Sequence, residues 1–151
     1  MYSSETAFVV FVTIGIGFIH GAVTEDFKLK MKTIAGECAT ETKGNPDSFA
    51  KVWNSHTLPD SEDDMCFLAC MMKKYGAFAD GKFNAETMNG LNKQRWTDAG
   101  DVEKADKITA DCIAEVKTEG VEDCTLAHEM LECLFKKFDE VGISSSDHKD
   151  F

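Results

Sequence analysis

Six cysteines, in the order Cys38, Cys66, Cys70, Cys112, Cys124 and Cys133, constrain this 151-residue chain more than any other feature. Their spacing is Cys-x27-Cys-x3-Cys-x41-Cys-x11-Cys-x8-Cys, and the two short intervals fall where apolar residues recur at helical spacing. Helix geometry then limits the pairing. Residues four apart on a helix have Cβ atoms about 5–6 Å apart, whereas a disulfide needs about 3.5–4.5 Å. Cys66 and Cys70 must therefore reach to two different partners. Cys124 and Cys133 are nine residues apart, point to opposite sides of one helix and cannot meet either. Fifteen possible pairings of six thiols fall to roughly ten. The stretch DDMCFLACMMKKYG, Asp63 to Gly76, reads as a helix clamped at two adjacent turns to two other segments.

An even set of cysteines points to an oxidising compartment, and the N-terminus agrees. Ala7 to Ile19 is a thirteen-residue run without a charge, short for a membrane span and of the length of a signal-peptide core. Gly21 and Ala22 supply small residues for cleavage, although the segment before the run has Glu5 and no Lys or Arg. The expectation is a cleaved leader over residues 1–22 and one secreted domain over 23–151. The net charge of −11 disfavours nucleic acid and anionic lipid, both polyanions, and keeps a secreted chain soluble.

Metal and enzyme readings are weak. His128-Glu129-Met130-Leu131-Glu132 begins like a metalloprotease helix but has Glu where the second His belongs. Asp80-Gly81, with Asn84 and Glu86 after it, lacks the alternating ligands of a calcium loop and reads as a turn. A secreted phospholipase would need a His–Asp pair beside a calcium loop, and neither is found. No catalytic residue, metal site or cofactor is assigned.

Helical periodicity continues along the chain. Phe27, Met31, Ile34 and Cys38 define a first helix from about Glu25 to Thr42. Asn45-Pro46 caps and starts a short second helix carrying Phe49, Val52 and Trp53, and His56 to Pro59 breaks it. Ser61 with Asp64 forms a capping box for the clamp helix, which stops at Gly76. A short helix spans about Ala85 to Asn92. Val102, Ala105, Ile108, Cys112 and Val116 make a fifth stripe ending at Gly120. The sixth helix, about Asp123 to Phe138, is apolar on more than one side and so central. No strand alternation is sustained, so the class is all-α.

Six cysteines at these intervals on six helices resemble the insect odorant-binding proteins, the general odorant and pheromone carriers, over essentially the whole chain after the leader. The x3 and x8 intervals are that family's tightest, and CFLACMMKKYGAFADGKFNAE is similar to its segment after the second cysteine. The resemblance implies a compact bundle of six helices enclosing an apolar cavity and stapled by three interlocked disulfides. The implied bonds are Cys38–Cys70, Cys66–Cys124 and Cys112–Cys133, one of the pairings that helix geometry leaves open.

Positions counted from the cysteines carry over as cavity residues: Met31, Val52 and Trp53, Leu68 and Met72, Ile113, and Leu134. Met88 and Leu91 follow by proximity on the short helix, and Ile143 from the segment after the sixth helix. The plain alternative for each is packed core. The implied function is a secreted, non-enzymatic carrier of small hydrophobic odorants or pheromones through aqueous fluid, with a membrane olfactory receptor as a further partner. The alternative is a carrier of a non-olfactory lipid or hormone. The expected state is a monomer or weak homodimer. Val141 and Ile143 are expected to cover the opening, with Ser144 to Phe151 mobile beyond them. Of His56, His128 and His148, the acid-responsive candidate is His128.

Overall fold

The computed structural model describes residues 24–143, so the leader expected over 1–22 and the tail from Ser144 to Phe151 lie outside the described residues. Among the described residues there are six helices: α1 (Glu25–Thr42), α2 (Pro46–Ser55), α3 (Glu62–Tyr75), α4 (Ala85–Arg95), α5 (Ala99–Glu115) and α6 (Asp123–Glu140). Their starts are chemically marked. Thr24, Asn45, Ser61, Asn84 and Asp98 each accept a first-turn backbone N–H with the side chain, which satisfies a donor the helix itself leaves open. Gly76, at φ 91°, ends α3 and donates to the Met72 and Lys73 carbonyls.

Two details go beyond the sequence reading. The Ser61 hydroxyl accepts from Asp64 N–H (3.2 Å), and the Asp64 carboxylate bonds in turn with the Ser61 side chain. It also accepts from Asn45 N–H at 2.7 Å, tying the start of α2 to the start of α3, and this bond above all holds the Asp64 carboxyl below its ordinary range. The second detail is a two-residue hairpin between α3 and α4, β1 (Phe78–Ala79) and β2 (Lys82–Phe83). Asp80 (φ 52°) and Gly81 (φ 70°) both adopt the left-handed backbone that matches a tight hairpin to strand twist.

The helix α3 is central, packing most extensively on α6 and then α1; α6 packs on α5, and α5 on α4. The disulfides follow these contacts: Cys38–Cys70 joins α1 to α3, Cys66–Cys124 joins α3 to α6, and Cys112–Cys133 joins α5 to α6. An ion pair accompanies each bond across the same helices. Lys74 reaches Glu37 (2.9 Å) and Glu41 (2.7 Å), Lys73 pairs with Asp123, and Lys137 reaches Glu115 at 2.6 Å. These pairs are solvent-facing and contribute little beside the covalent bonds. Neither α2 nor α4 contains a cysteine. The core is built from Phe67, Cys38, Cys112, Met130 and Phe138, all fully buried.

Candidate functional site

Inside the bundle lies a cavity of about 90 Å³ with walls from all six helices. Met31 comes from α1, and Phe49, Val52 and Trp53 come from α2. Leu68, Met71, Met72 and Tyr75 form the α3 wall, one face of a helix at intervals of three and four. Beyond Ala77, α4 contributes Met88, Leu91, Asn92 and Arg95, α5 contributes Thr109, and α6 contributes Leu131, Leu134 and Phe135.

The cavity is smaller than an engineered apolar void of about 150 Å³ that admits benzene, so a ligand of useful size has to move its walls. Met31, Met71, Met72 and Met88 provide for that, because the thioether chain is unbranched and changes rotamer at low cost.

Eight of the ten residues inferred from cysteine-relative position, proximity or the tail stand on this lining: Met31, Val52, Trp53, Leu68, Met72, Met88, Leu91 and Leu134. The other two do not. Ile113 is half-buried against the core and stands outside the lining, one turn beyond Thr109 toward the end of α5. Ile143 is 2 % exposed and donates its N–H to the Phe138 carbonyl (2.9 Å), folding back on the end of α6 instead of reaching the cavity wall. Val141 is 50 % exposed and stands outside the cavity lining.

One corner of the cavity is polar, and periodicity did not reveal it. Asn92 and Arg95 are three residues apart on one face of α4, buried to 5 % and 6 % exposure. Asn92 Nδ2 donates to Thr109 Oγ1 (3.1 Å) and to Asp106 Oδ1 (2.9 Å), which anchors α4 to α5. The Arg95 guanidinium lies over the rings of Trp96 (4.5 Å), Trp53 (4.8 Å) and Phe138 (5.7 Å). Burial pushes its pKa down to about 9, so it stays cationic at neutral pH.

Arginine can only donate, so the 3.2 Å contact between Arg95 Nη2 and His56 Nε2 makes that ring nitrogen an acceptor. The other nitrogen, Nδ1, then carries the proton and faces Asp139 Oδ1 at 3.4 Å. His56 stacks on Phe135 with ring centres 4.6 Å apart and planes 9° from parallel. Burial first, and the Arg95 charge second, hold the His56 pKa below its usual value, against the opposing pull of Asp139. The histidine coupled to the cavity is therefore His56, at the left-handed C-cap of α2; His128 is half-buried on α6 and His148 lies outside the described residues. Among the described residues, no group of three His, Cys, Asp or Glu side chains is placed to hold a metal ion.

Residues 20–137 match the family model described as the PBP/GOBP family. General odorant-binding protein 19d of Drosophila melanogaster is 31% identical over 119 residues, covering 76% of this chain and 76% of that one. Among solved structures, odorant-binding protein dmelOBP28a from Drosophila melanogaster superposes with a TM-score of 0.62 at 21% identity, covering 78% of this chain and 97% of that chain. Fatty acid binding protein OBP56a from the oral disk of the blowfly Phormia regina gives 0.58 at 24% identity, covering 80% of this chain and 99% of that chain. At those identities the two structures bear on the fold alone; the family model and the curated relative bear on descent. The chain belongs to the PBP/GOBP family, whose members carry small hydrophobic molecules and do not transform them.

Proposed function

We propose that this protein is a secreted carrier that takes small hydrophobic odorants or pheromones into its cavity and moves them through aqueous fluid to olfactory receptors. The observation that carries the reading is the methionine-rich apolar cavity inside a disulfide-bonded bundle of this family. Met31, Val52, Trp53, Leu68, Met72, Met88, Leu91 and Leu134 are its binding surface, with residues 1–22 as a leader removed on secretion and 23–151 as the working domain. The working form is a monomer or weak homodimer, and a membrane olfactory receptor is the second partner.

Binding in such a site comes mainly from withdrawing ligand surface from water. At about 25 cal/mol per Å², some 200–300 Å² of apolar ligand surface contributes roughly 5–8 kcal/mol before entropic costs, a dissociation constant between about 200 μM and about 1 μM. The test is titration of refolded, oxidised protein lacking residues 1–22 with a fluorescent apolar naphthylamine probe. Saturable one-to-one binding in the micromolar range is expected. A natively folded protein that leaves the probe's emission unchanged at high micromolar concentration refutes the carrier reading.

A second reading, a carrier of a non-olfactory lipid, is favoured by one observation: a structural neighbour is titled a fatty acid binding protein and comes from an oral disk. Immunostaining separates the two. Labelling of olfactory sensilla supports odorant transport, and labelling confined to mouthparts or another fluid supports the lipid role.

A further inference from the structure

Among the described residues, hydrogen bonding in the polar corner of the cavity is left open on two atoms. Asn92 and Thr109 both line the cavity, at 5 % and 1 % exposure. Asp106 fixes the orientation of the Asn92 amide: a carboxylate can only accept, so the atom facing it at 2.9 Å is Nδ2. The second Nδ2 proton goes to Thr109 Oγ1 at 3.1 Å. Both amide donors are thus engaged, while Oδ1 accepts from no group among the described residues. On the same helix, Asn89 Oδ1 and Gln94 Oε1 are sealed in without a partner; Asn92 Oδ1 is not sealed, and the space that Asn92 borders is the cavity. Thr109 is the complement. Its oxygen accepts from Asn92, which leaves its own proton to donate. The hydroxyls of Thr33, Thr40 and Thr42 on α1 donate to the carbonyl four residues back, whereas that of Thr109 reaches no acceptor among the described residues. An acceptor and a donor held side by side in an apolar surround favour a ligand that matches both.

We propose that the cavity takes small neutral alcohols, the ligand hydroxyl donating to Asn92 Oδ1 and accepting from the Thr109 hydroxyl. This rests on the carrier reading above and names its ligand class. A hydroxyl donates and accepts through one atom, which suits a corner made of one acceptor and one donor. Aldehydes, ketones, esters and ethers only accept. They could take the Thr109 proton but would set a second oxygen against Asn92 Oδ1, and a carboxylate would do the same with a charge. An ammonium could donate to Oδ1 but would bring a second cation within one helical turn of Arg95. Arg95 itself is not assigned to the ligand, being bonded to His56 and enclosed by the rings of Trp53, Trp96 and Phe138. The pair is positioned before a ligand arrives, because the Asn92–Thr109 and Asn92–Asp106 bonds join α4 to α5. The hydrocarbon part of the alcohol then lies against apolar walls such as Met72, Met88 and Leu91.

The experiment is displacement of the naphthylamine probe at pH 7.5 by octan-1-ol and by its isomer 1-methoxyheptane, which has the same atoms but no O–H. The unmodified protein is expected to bind the alcohol at least about threefold tighter, the scale of one net hydrogen bond. The Asn92→Leu variant, folded by circular dichroism and still binding the probe, is expected to bring the two affinities within about twofold, since both isomers can then bond only Thr109. Equal affinity for the isomers in the unmodified protein overturns the proposal and leaves the carrier reading intact. A preference that survives Asn92→Leu overturns it too, and its loss in Tyr75→Phe would place the polar end at the other hydroxyl lining the cavity. Absence of binding by the probe and by both isomers refutes both readings together. Should Asn92→Leu fail to fold, the alcohol-to-ether ratio of the unmodified protein decides alone.

Discussion

Replacing each disulfide in turn by a pair of alanines separates the covalent frame from the packing it holds. The loops closed by Cys66–Cys124, Cys38–Cys70 and Cys112–Cys133 span 58, 32 and 21 residues. They interlock, because the stretch 66–70 belongs to the first two and 112–124 to the first and third, yet no bond offers a much shorter path around another. Loop-closure entropy then assigns a stabilisation of about 4.2 kcal/mol to Cys66–Cys124, about 3.7 kcal/mol to Cys38–Cys70 and about 3.3 kcal/mol to Cys112–Cys133. The assay is urea unfolding of the three double-alanine variants followed by far-ultraviolet circular dichroism. Loss of Cys66–Cys124 is expected to cost the most and loss of Cys112–Cys133 the least, with larger m-values in every variant as the released chain expands. A reversed order, with the Cys112–Cys133 variant the least stable, would refute the entropic account and assign the cost to packing around the fully buried Cys112.

Three further predictions concern the cavity and its supports. Unfolded chain binds the His56 proton before the folded protein does, since the folded pKa lies below 6.5; stability that depends on neutral His56 is complete above pH 6.5 and lost as pH falls through the folded value. The stability difference between the unmodified protein and His56→Gln should therefore shift against the unmodified protein between pH 7.5 and pH 5 in thermal melts, and an opposite shift would reverse the assigned sign. Gly44→Ala should destabilise by about 1–3 kcal/mol in urea, because its new Cβ would stand 2.4 Å from Phe67 Cβ and 2.8 Å from the Asp63 carbonyl oxygen; an unchanged midpoint would show that the loop yields freely. Leu68→Ala should cost about 2–5 kcal/mol and shift probe displacement toward bulkier ligands, whereas Met72→Leu should cost less than about 1.5 kcal/mol and leave the preference unchanged.

Much of this molecule could be read along the chain because its signals are local. The starts of α1, α2 and α3 follow from side chains that bond the first-turn amides, and Gly76 ends α3 for an equally local reason. The cysteine spacing was legible down to which thiols could not meet. The polar corner was not, and the cause is physical. α4 is mostly polar, AETMNGLNKQR, so no apolar stripe extends it past Asn92, yet it runs to Arg95. A single arginine between a helix and a tryptophan looks solvated in one dimension, and only the packing of α4 on α5 and of His56 across from α2 buries it. The signal available was Arg95-Trp96 itself, a cation beside a ring in a chain with only two tryptophans, the other being Trp53. His56 was legible as the break after α2 but not as a partner for Arg95, since the two are 39 positions apart. Ile113, counted from Cys112, and Ile143, taken from the segment after α6, illustrate the converse: a position can be read along the chain, but not the direction in which its side chain turns.

The absence of cysteines from α2 and α4 has a consequence for how such a protein diversifies. Phe49, Val52 and Trp53 on the one, and Met88, Leu91, Asn92 and Arg95 on the other, account for the wall least bound to the covalent skeleton. Substitutions there rewrite which molecule is accepted while the α1–α3–α6–α5 chain of crosslinks keeps the protein folded. Part of the cavity wall can thus change on helices that carry no crosslink, while the rest of it stays on the helices that do.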